Sequence, residues 1–276
     1  MTVVITPDML RRISPTANTG IISHLGPALT RSFPAGDIKT ELRAAHFLAQ
    51  AAHESDGFRT LVEYGGARYF SRYDGRRDLG NTQPGDGARY RGRGIFQLTG
   101  RANYRTFGGR IGVDLERQPD RASEPDISAR TAMAYWFDRG LNGLADRDDL
   151  VGVTKRINGG RNGLADRQAK LIRAKAALQG RSGAEAVAEI QERAQAAGTA
   201  ARRATAGAGG AAAGGSVVVG IPQQSDPAAG SGSVVGAVLV AGLIFGGAVI
   251  WLLLRARSKR VEQRELAANA AQGVGE

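Results

Sequence analysis

Apolar residues recur every three or four positions along much of the first 180 residues, a spacing that places them on one face of an α-helix. Thr6 and Pro7 have the residue types of a helix N-cap and first turn. The expected helices cover residues 18–30, 37–54, 101–107, 127–139 and 165–178, and residues 150–157 lead into an Asn-Gly-Gly turn. The sequence therefore predicts a mostly α-helical domain over residues 1–180.

The region between residues 57 and 91 lacks this periodicity. It is rich in Gly, Tyr, Arg and Asp, a composition typical of a long functional loop. We expect a loop region with one short hairpin.

The last third of the chain changes in composition. Residues 181–233 are dominated by Ala, Gly and Ser, as in a linker. Residues 234–254 (VVGAVLVAGLIFGGAVIWLLL) carry no charge, and a helix of that length would span about 30 Å, the thickness of a bilayer core. We therefore expect one transmembrane helix at 234–254, in which Gly242 and Gly246 match a small-residue motif for helix-mediated dimerisation.

The residues that follow this span form a basic tail, 255–276, whereas no Lys or Arg occurs in the 20 residues before it. The positive-inside rule predicts a cytoplasmic tail and an N-terminal domain on the cell-wall side. Residues 1–13 show no charged, apolar and small-residue succession, so we expect no N-terminal signal peptide. A cytoplasmic, tail-anchored orientation is the alternative.

The chain is basic and free of cysteine, with a net charge of +11 that falls mostly in residues 1–180. The lack of cysteine excludes disulfides and thiolate metal sites. A basic domain is attracted to polyanions, and bacterial cell walls are one class of these. The bases are scattered and no dense Lys/Arg block lies beside aromatics, so we do not expect nucleic acid as a partner.

Glu54 is the first candidate for chemistry. It falls in the last turn of a largely apolar predicted helix, which Gly57 ends. The negative end of the helix dipole and apolar surroundings both disfavour a carboxylate, so we expect a raised pKa, as a general acid needs. The alternative from this segment alone is a surface glutamate at a frayed helix end.

Three ordered motifs identify a family resemblance. Ala52-His53-Glu54-Ser55 is followed by the stretch YRGRGIFQLTGRANY at 90–104 and by Ile157-Asn158-Gly159-Gly160. Together they resemble glycoside hydrolase family 19, and more narrowly the phage and bacterial endolysin branch of its chitinase-like lysozymes, over residues 6–178. The resemblance implies a lysozyme-like, two-lobed α-helical domain with a central cleft.

The resemblance also implies a role for each matching residue. Glu54 matches the general acid, and Glu63, nine positions later, matches the base; Asp74 and Asp78 are the alternatives for the base. Thr99 matches the residue that holds the attacking water. The substrate-binding candidates are Gln97, Asn103, Asn158, Arg167 and Tyr104.

Arg167 matches an arginine that supports the carboxylates, and an arginine beside the base would keep it ionised while the acid stays protonated. Without the family, Thr99 could be a helix cap, Gln97 a partner of buried backbone and Arg167 a surface charge. The chain departs from the family at Ala102, where a tyrosine is usual, and at Tyr64-Gly65, where the endolysin branch has Asn-Leu.

Metal and cofactor chemistry find little support. His46 and His53 lie seven apart on one predicted helical face, but position 57 is Gly, so the HExxH zinc motif is not present. We expect neither a metal nor a cofactor.

The expected function is a membrane-anchored, peptidoglycan-degrading glycosidase that hydrolyses β-1,4 bonds between amino sugars. Family 19 enzymes invert the anomeric centre, which requires the two carboxyls to stand roughly 6.5–9.5 Å apart. One alternative is a chitinase. Alternatives of another class are a non-catalytic membrane-anchored wall-binding protein and a membrane adaptor tethered by the domain.

Overall fold

The computed structural model describes residues 3–182 and scattered residues between 185 and 199. Within residues 3–182 the fold is built from α-helices and short 3-10 turns, which confirms the mostly helical prediction. The α-helices are α1 (Pro7–Ile13), α2 (Thr19–Ser32), α3 (Glu41–Glu54), α4 (Ala67–Phe70), α5 (Asp86–Arg89), α6 (Arg101–Ile111), α7 (Pro125–Asp138), α8 (Leu141–Ala145), α9 (Leu150–Asn158) and α10 (Leu164–Leu178).

Side-chain caps fix the starts of the first three helices. The Thr6 hydroxyl accepts a hydrogen bond from the Met9 amide at the start of α1, and Asn18 caps α2. Helix α3 begins later than the predicted residue 37 because Asp37 adopts a left-handed conformation, with φ of 53°. Thr40 is the cap, through a hydrogen bond from the Arg43 amide.

Helix α3 lies at the centre of the larger hydrophobic core and packs against α10. From Ala44 to Glu54 every residue of α3 is buried. The Phe47 ring meets those of Phe33, Phe96 and Trp136 edge-on, with centroids 5.6, 5.7 and 5.3 Å away. These contacts fix the helix that carries Glu54.

The 57–91 stretch forms short helical turns rather than the predicted hairpin. Three of these turns are 3-10 or α segments between Ala67 and Leu79, and α5 follows. The strand-like pairing found in residues 3–182 is limited to isolated bridges of Arg93 with Val62 and Leu98. The hairpin prediction is wrong because residue 62 pairs with a segment some thirty positions later, and not with its own neighbours.

Two smaller hydrophobic clusters belong to this part of the chain. One contains Phe70, Tyr73 and Leu79. The other contains Tyr90, Tyr104, Leu115, Ala122 and Ile127. Both clusters are separate from the larger core that contains α3.

The predicted transmembrane helix at 234–254, the basic tail, most of the linker and the Gly242/Gly246 contact lie outside the described residues. Within the part of the chain that is described, no helix has the length and apolar character needed to cross a bilayer.

Candidate active site

Glu54 is the last residue of α3, as its apolar periodicity and Gly57 predict. Its side chain is buried, and Oε1 accepts a 2.6 Å hydrogen bond from Nη2 of Arg167. Three consecutive residues after the cap Ser55 have positive φ, among them Asp56 at 54° and Phe58 at 59°. This tight reversal ends α3 at Glu54 and turns the chain toward Glu63.

Arg167 joins three segments around Glu54. It lies on α10 and is completely buried. Its other guanidinium nitrogens donate to Gln50 Oε1, one turn before Glu54 on α3, and to the carbonyl of Asn162 at 3.2 Å. The alternative of a surface charge is therefore wrong. Arg167 also pairs with the predicted acid, whereas the sequence predicted an arginine beside the base.

The Asn-Gly-Gly turn supports the same network. Asn158 is buried at the end of α9; its Nδ2 donates to the Asn162 carbonyl at 3.0 Å and its Oδ1 accepts from the Gly160 amide at 2.8 Å. Gly159 has φ of 74°, a conformation that favours glycine. Asn158 thus holds the carbonyl that positions Arg167, with both ends of its amide bonded inside the turn.

Glu63 is buried in a second polar group. Its Oε1 accepts hydrogen bonds from the hydroxyls of Tyr73 (2.9 Å) and Tyr69 (3.2 Å), and its Oε2 accepts from the Gly92 amide at 2.8 Å. Burial raises the pKa of Glu63 above its ordinary value, and these hydrogen bonds to the carboxylate oppose the rise without cancelling it. Within residues 3–182 the predicted base accepts hydrogen bonds but forms no ion pair, and the positive charge of Arg72 also opposes the rise in its pKa.

Gly92 and Gln97 lie against this carboxyl. A Cβ at Gly92 would come within 2.7 Å of Gln97 Oε1 and 3.1 Å of Glu63 Oε2, so no larger residue fits without a shift. Gln97 has φ of 51° and donates to the Gly94 carbonyl at 3.0 Å. Its Oε1 is buried and has no hydrogen-bond partner in the described part of the chain, which leaves an acceptor for a ligand.

Thr99 and Asn103 flank the start of α6. The Thr99 hydroxyl donates to the Gln97 carbonyl at 2.8 Å, and Asn103 donates to the Thr99 carbonyl at 2.7 Å. Thr99 is not a helix cap, because the cap position is Gly100, without a side-chain bond. Both residues belong to the Glu63 and Gln97 side of the site.

Tyr104 does not lie where a substrate contact requires. Its side chain is completely buried, and its hydroxyl donates to the Arg91 carbonyl at 2.6 Å while accepting from Arg93 at 2.8 Å. Tyr104 supports the Arg91–Arg93 backbone and offers no surface to a sugar, so its burial argues against the predicted contact with substrate.

The two alternatives for the base have other partners. Asp78 is exposed and paired with Arg76, which lowers its pKa, and Asp74 accepts the Gly87 amide at 2.6 Å. Neither has the enclosed setting of Glu63, so the geometry favours Glu63.

The histidines of α3 are paired with carboxylates. His46 Nε2 lies 2.7 Å from Asp148, and His53 Nδ1 lies 2.5 Å from Asp166. The His53 ring also fills the space above Gly163, where a Cβ would come within 2.3 Å of it. These contacts join α3 to the segments around α10.

The candidates thus form two groups, one around Glu54 and Arg167 and one around Glu63 and Gln97. Tyr135 of α7 contacts residues next to both groups: its ring stacks on Phe96, which precedes Gln97, with centroids 4.8 Å apart, and its hydroxyl donates to the carbonyl of Ile157, which precedes Asn158, at 3.3 Å. Sequence reasoning missed Gln50, Tyr69, Tyr73 and Gly92. Tyr69 and Tyr73 follow Glu63 closely in the sequence, and this proximity could have indicated them as its partners.

Comparisons with known proteins give the same family. The family model described as chitinase class I, glycoside hydrolase family 19, matches residues 27–155. A family 19 domain-containing protein of Haemophilus influenzae is 33% identical, over 58% of this chain and 90% of that protein. An endochitinase of Solanum tuberosum is 38% identical over 39% of this chain, but the match spans 37% of the plant protein.

Solved structures share the fold. Chitinase C from Streptomyces griseus HUT6037 has a TM-score of 0.53 and 21% identity, over 66% of this chain and 95% of that one. A bacterial family 19 chitinase has a TM-score of 0.52 and 21% identity, over 63% and 95%. The mostly helical, lysozyme-like architecture is thus confirmed, and the chain belongs to glycoside hydrolase family 19.

Proposed function

We propose that this glycoside hydrolase is an endolysin-like enzyme that cuts the β-1,4 bonds between amino sugars in peptidoglycan by an inverting mechanism. The observation that carries the proposal is the pair of buried glutamates, each fixed by its own set of donors: Glu54 by Arg167, and Glu63 by Tyr73 and the Gly92 amide. Two enclosed carboxyls in different surroundings are what acid/base hydrolysis of a glycoside needs.

We assign the roles by the family motif, since Arg167 lies beside Glu54 and not beside Glu63: Glu54 protonates the leaving glycosidic oxygen while Glu63 takes a proton from a water on the opposite face of the sugar. Thr99 then orients that water. Because its hydroxyl hydrogen is already donated to the Gln97 carbonyl, its oxygen is free to act as an acceptor. A water that gives one hydrogen to Glu63 and the other to Thr99 keeps a lone pair for the anomeric carbon.

Gln97 and Asn103 are the proposed sugar contacts on this side. The unpartnered Oε1 of Gln97 is an acceptor for a sugar hydroxyl or an N-acetyl amide. Asn158 acts through Arg167 in this proposal, because its side chain is buried and its Nδ2 donates to the Asn162 carbonyl that Arg167 also contacts.

Charge favours peptidoglycan over chitin. The net charge of +11 does not attract the protein to a neutral polymer, whereas it favours encounter with an anionic wall. Chitin is the second candidate substrate, because several of the curated relatives carry the name endochitinase. We also propose that residues 234–254 anchor the chain in the membrane, with the enzyme on the wall side.

The test is release of reducing ends from purified peptidoglycan and from chitin oligomers by the full-length chain in a non-ionic detergent, beside Glu54→Gln and Glu63→Gln. We expect cleavage of peptidoglycan that both substitutions abolish while each variant keeps its helical circular dichroism. Cleavage of chitin alone would replace the substrate. Cleavage of neither would favour the non-catalytic, wall-binding alternative.

A matched pair at Thr99 tests the water. Thr99→Ser keeps the hydroxyl and should retain most activity, whereas Thr99→Val has the same shape without an acceptor. We expect Thr99→Val to lower kcat with little change in KM. Equal activity of the two variants would contradict the role of Thr99.

A further inference from the structure

The segment Arg91-Gly92-Arg93 has two different faces. Gly92 faces the Glu63 carboxyl and the Gln97 amide. The side chains on either side of it line a separate groove of about 690 Å³. Its charged lining consists of Arg89, Arg91, Arg93, Arg117, Arg121 and Asp120.

The groove has a large excess of positive charge. Among the described residues Asp120 is its single acidic lining residue, and the side chain is 83% exposed, with Oδ1 at 2.5 Å from Arg93 and 3.9 Å from Arg91. The other two ion pairs join groove arginines to carboxylates that do not line the groove. Arg117 lies 3.6 Å from Asp114, and Arg121 lies 3.4 Å from Glu124. Exposed pairs of this kind contribute little energy, so Arg117 and Arg121 are available to another anion.

Three of the guanidinium groups are held in place by the fold. Arg93 is 2% exposed and donates to the Arg89 carbonyl and to the Tyr104 hydroxyl, each at 2.8 Å. Arg89 donates to the Arg117 carbonyl at 3.1 Å, and Arg91 donates to the Ala88 carbonyl at 2.9 Å. Side chains that are already ordered lose less entropy on binding, and their planar forks match carboxylate and phosphate oxygens.

We propose that this arginine groove binds the carboxylate or phosphate groups of an anionic polysaccharide, close along the chain to the residues that hold Glu63. This proposal rests on the proposed function for the identity of the polymer. A chain of neutral amino sugars has no charged group for the arginines to bind, whereas a wall glycan carries acidic substituents. Binding through the groove does not depend on turnover and is measured separately from it.

The test uses the full-length chain with Glu54→Gln, so that the polymer is not cut, in non-ionic detergent. Binding is measured by co-sedimentation with peptidoglycan sacculi free of phosphate polymers, with the same sacculi after their carboxyls are converted to amides, and with walls that carry a phosphate polymer. The first two arms test carboxylates, and the third tests phosphates.

Arg117→Gln with Arg121→Gln removes two charges from the groove, and Arg11→Gln with Arg31→Gln removes two from exposed positions on α1 and α2. We expect the groove pair to weaken binding to the acidic polymer by roughly tenfold or more, the scale of a lost hydrogen bond to a charged group, and the control pair to weaken it far less. Binding should also fall as salt rises. Asp120→Asn removes the one competing carboxylate while keeping an acceptor for Arg93, and should tighten binding.

If the groove pair and the control pair weaken binding equally, binding depends on net charge alone and the proposal is overturned. Unchanged binding by the groove pair, or tighter arginine-dependent binding to double-stranded DNA than to any wall polymer, would also overturn it. Arginine-dependent binding to sacculi by a wild-type chain that cuts neither polymer would uphold the groove while overturning the glycosidase.

Discussion

Removing the Arg167 guanidinium is the perturbation for which the structure gives the clearest expectation. The side chain is completely buried and donates to Glu54, Gln50 and the Asn162 carbonyl. Arg167→Met keeps a similar length but leaves the Glu54 carboxyl buried without its cation. Breaking a buried pair on one side costs about 3–5 kcal/mol.

The assay is thermal unfolding followed by circular dichroism, with activity measured in parallel. For a domain of this size each kcal/mol lowers Tm by about 2–4 °C, so we expect a fall of roughly 6–20 °C. The same change frees Glu54 from its fixed orientation. Since general acid catalysis contributes at least about 10²-fold, we expect kcat to fall by that order.

A second substitution separates a lost ion pair from a generally damaged core. Arg167→Met combined with Glu54→Gln removes both charges, and we expect it to be more stable than Arg167→Met alone. Arg161→Met, in the exposed loop before α10, is the matched control and should unfold like the wild type. A Tm for Arg167→Met within about 2 °C of the wild type, a shift under 1 kcal/mol, would refute the reasoning, as would a double variant no more stable than the single one.

Three further changes test other parts of the site. Gly92→Ala should lower activity strongly with a smaller loss of stability, because the new methyl would lie 3.1 Å from the Glu63 carboxyl. Steady-state kinetics and Tm test this, and full activity with a wild-type Tm would contradict it. Tyr73→Phe removes a hydrogen bond that lowers the pKa of Glu63, so we expect that pKa to rise further. Because the base must be ionised, the acid limb of the pH profile of kcat/KM should move to higher pH. A move to lower pH would contradict this reasoning. Gly163→Ala places a methyl within 2.3 Å of the His53 ring at φ of 70°. We expect the free energy of unfolding, measured with denaturant, to fall by about 1–3 kcal/mol. An unchanged free energy of unfolding would contradict this expectation.

The position of Glu54 could be predicted from the sequence because it depends on local information. An apolar repeat sets the helix, and Gly57 follows directly. The surroundings of Glu63 could not, because Tyr69, Tyr73 and Gly92 approach it through a region with no periodicity and through a bridge from residue 62 to residue 93.

The partner of Arg167 shows the same limit. The motif placed an arginine near the carboxylates, but only the packing of α10 against α3 decides that it meets Glu54. The burial of Tyr104 could not be predicted for a related reason: its place in the motif says nothing about burial, and the side chain packs in the small cluster with Tyr90. The separation of the two carboxyls, and with it inversion, stays a prediction.

The most direct measurement of the central claim, that Glu54 is the acid and Glu63 the base on one glycosidic bond, compares leaving groups. Glu54→Gln and Glu63→Gln are assayed on the natural polymer and on an aryl oligosaccharide whose phenolate leaves without protonation. We predict that the aryl substrate restores much of the activity of Glu54→Gln and none of that of Glu63→Gln. Restoration of Glu63→Gln instead, or of neither variant, would contradict the assignment.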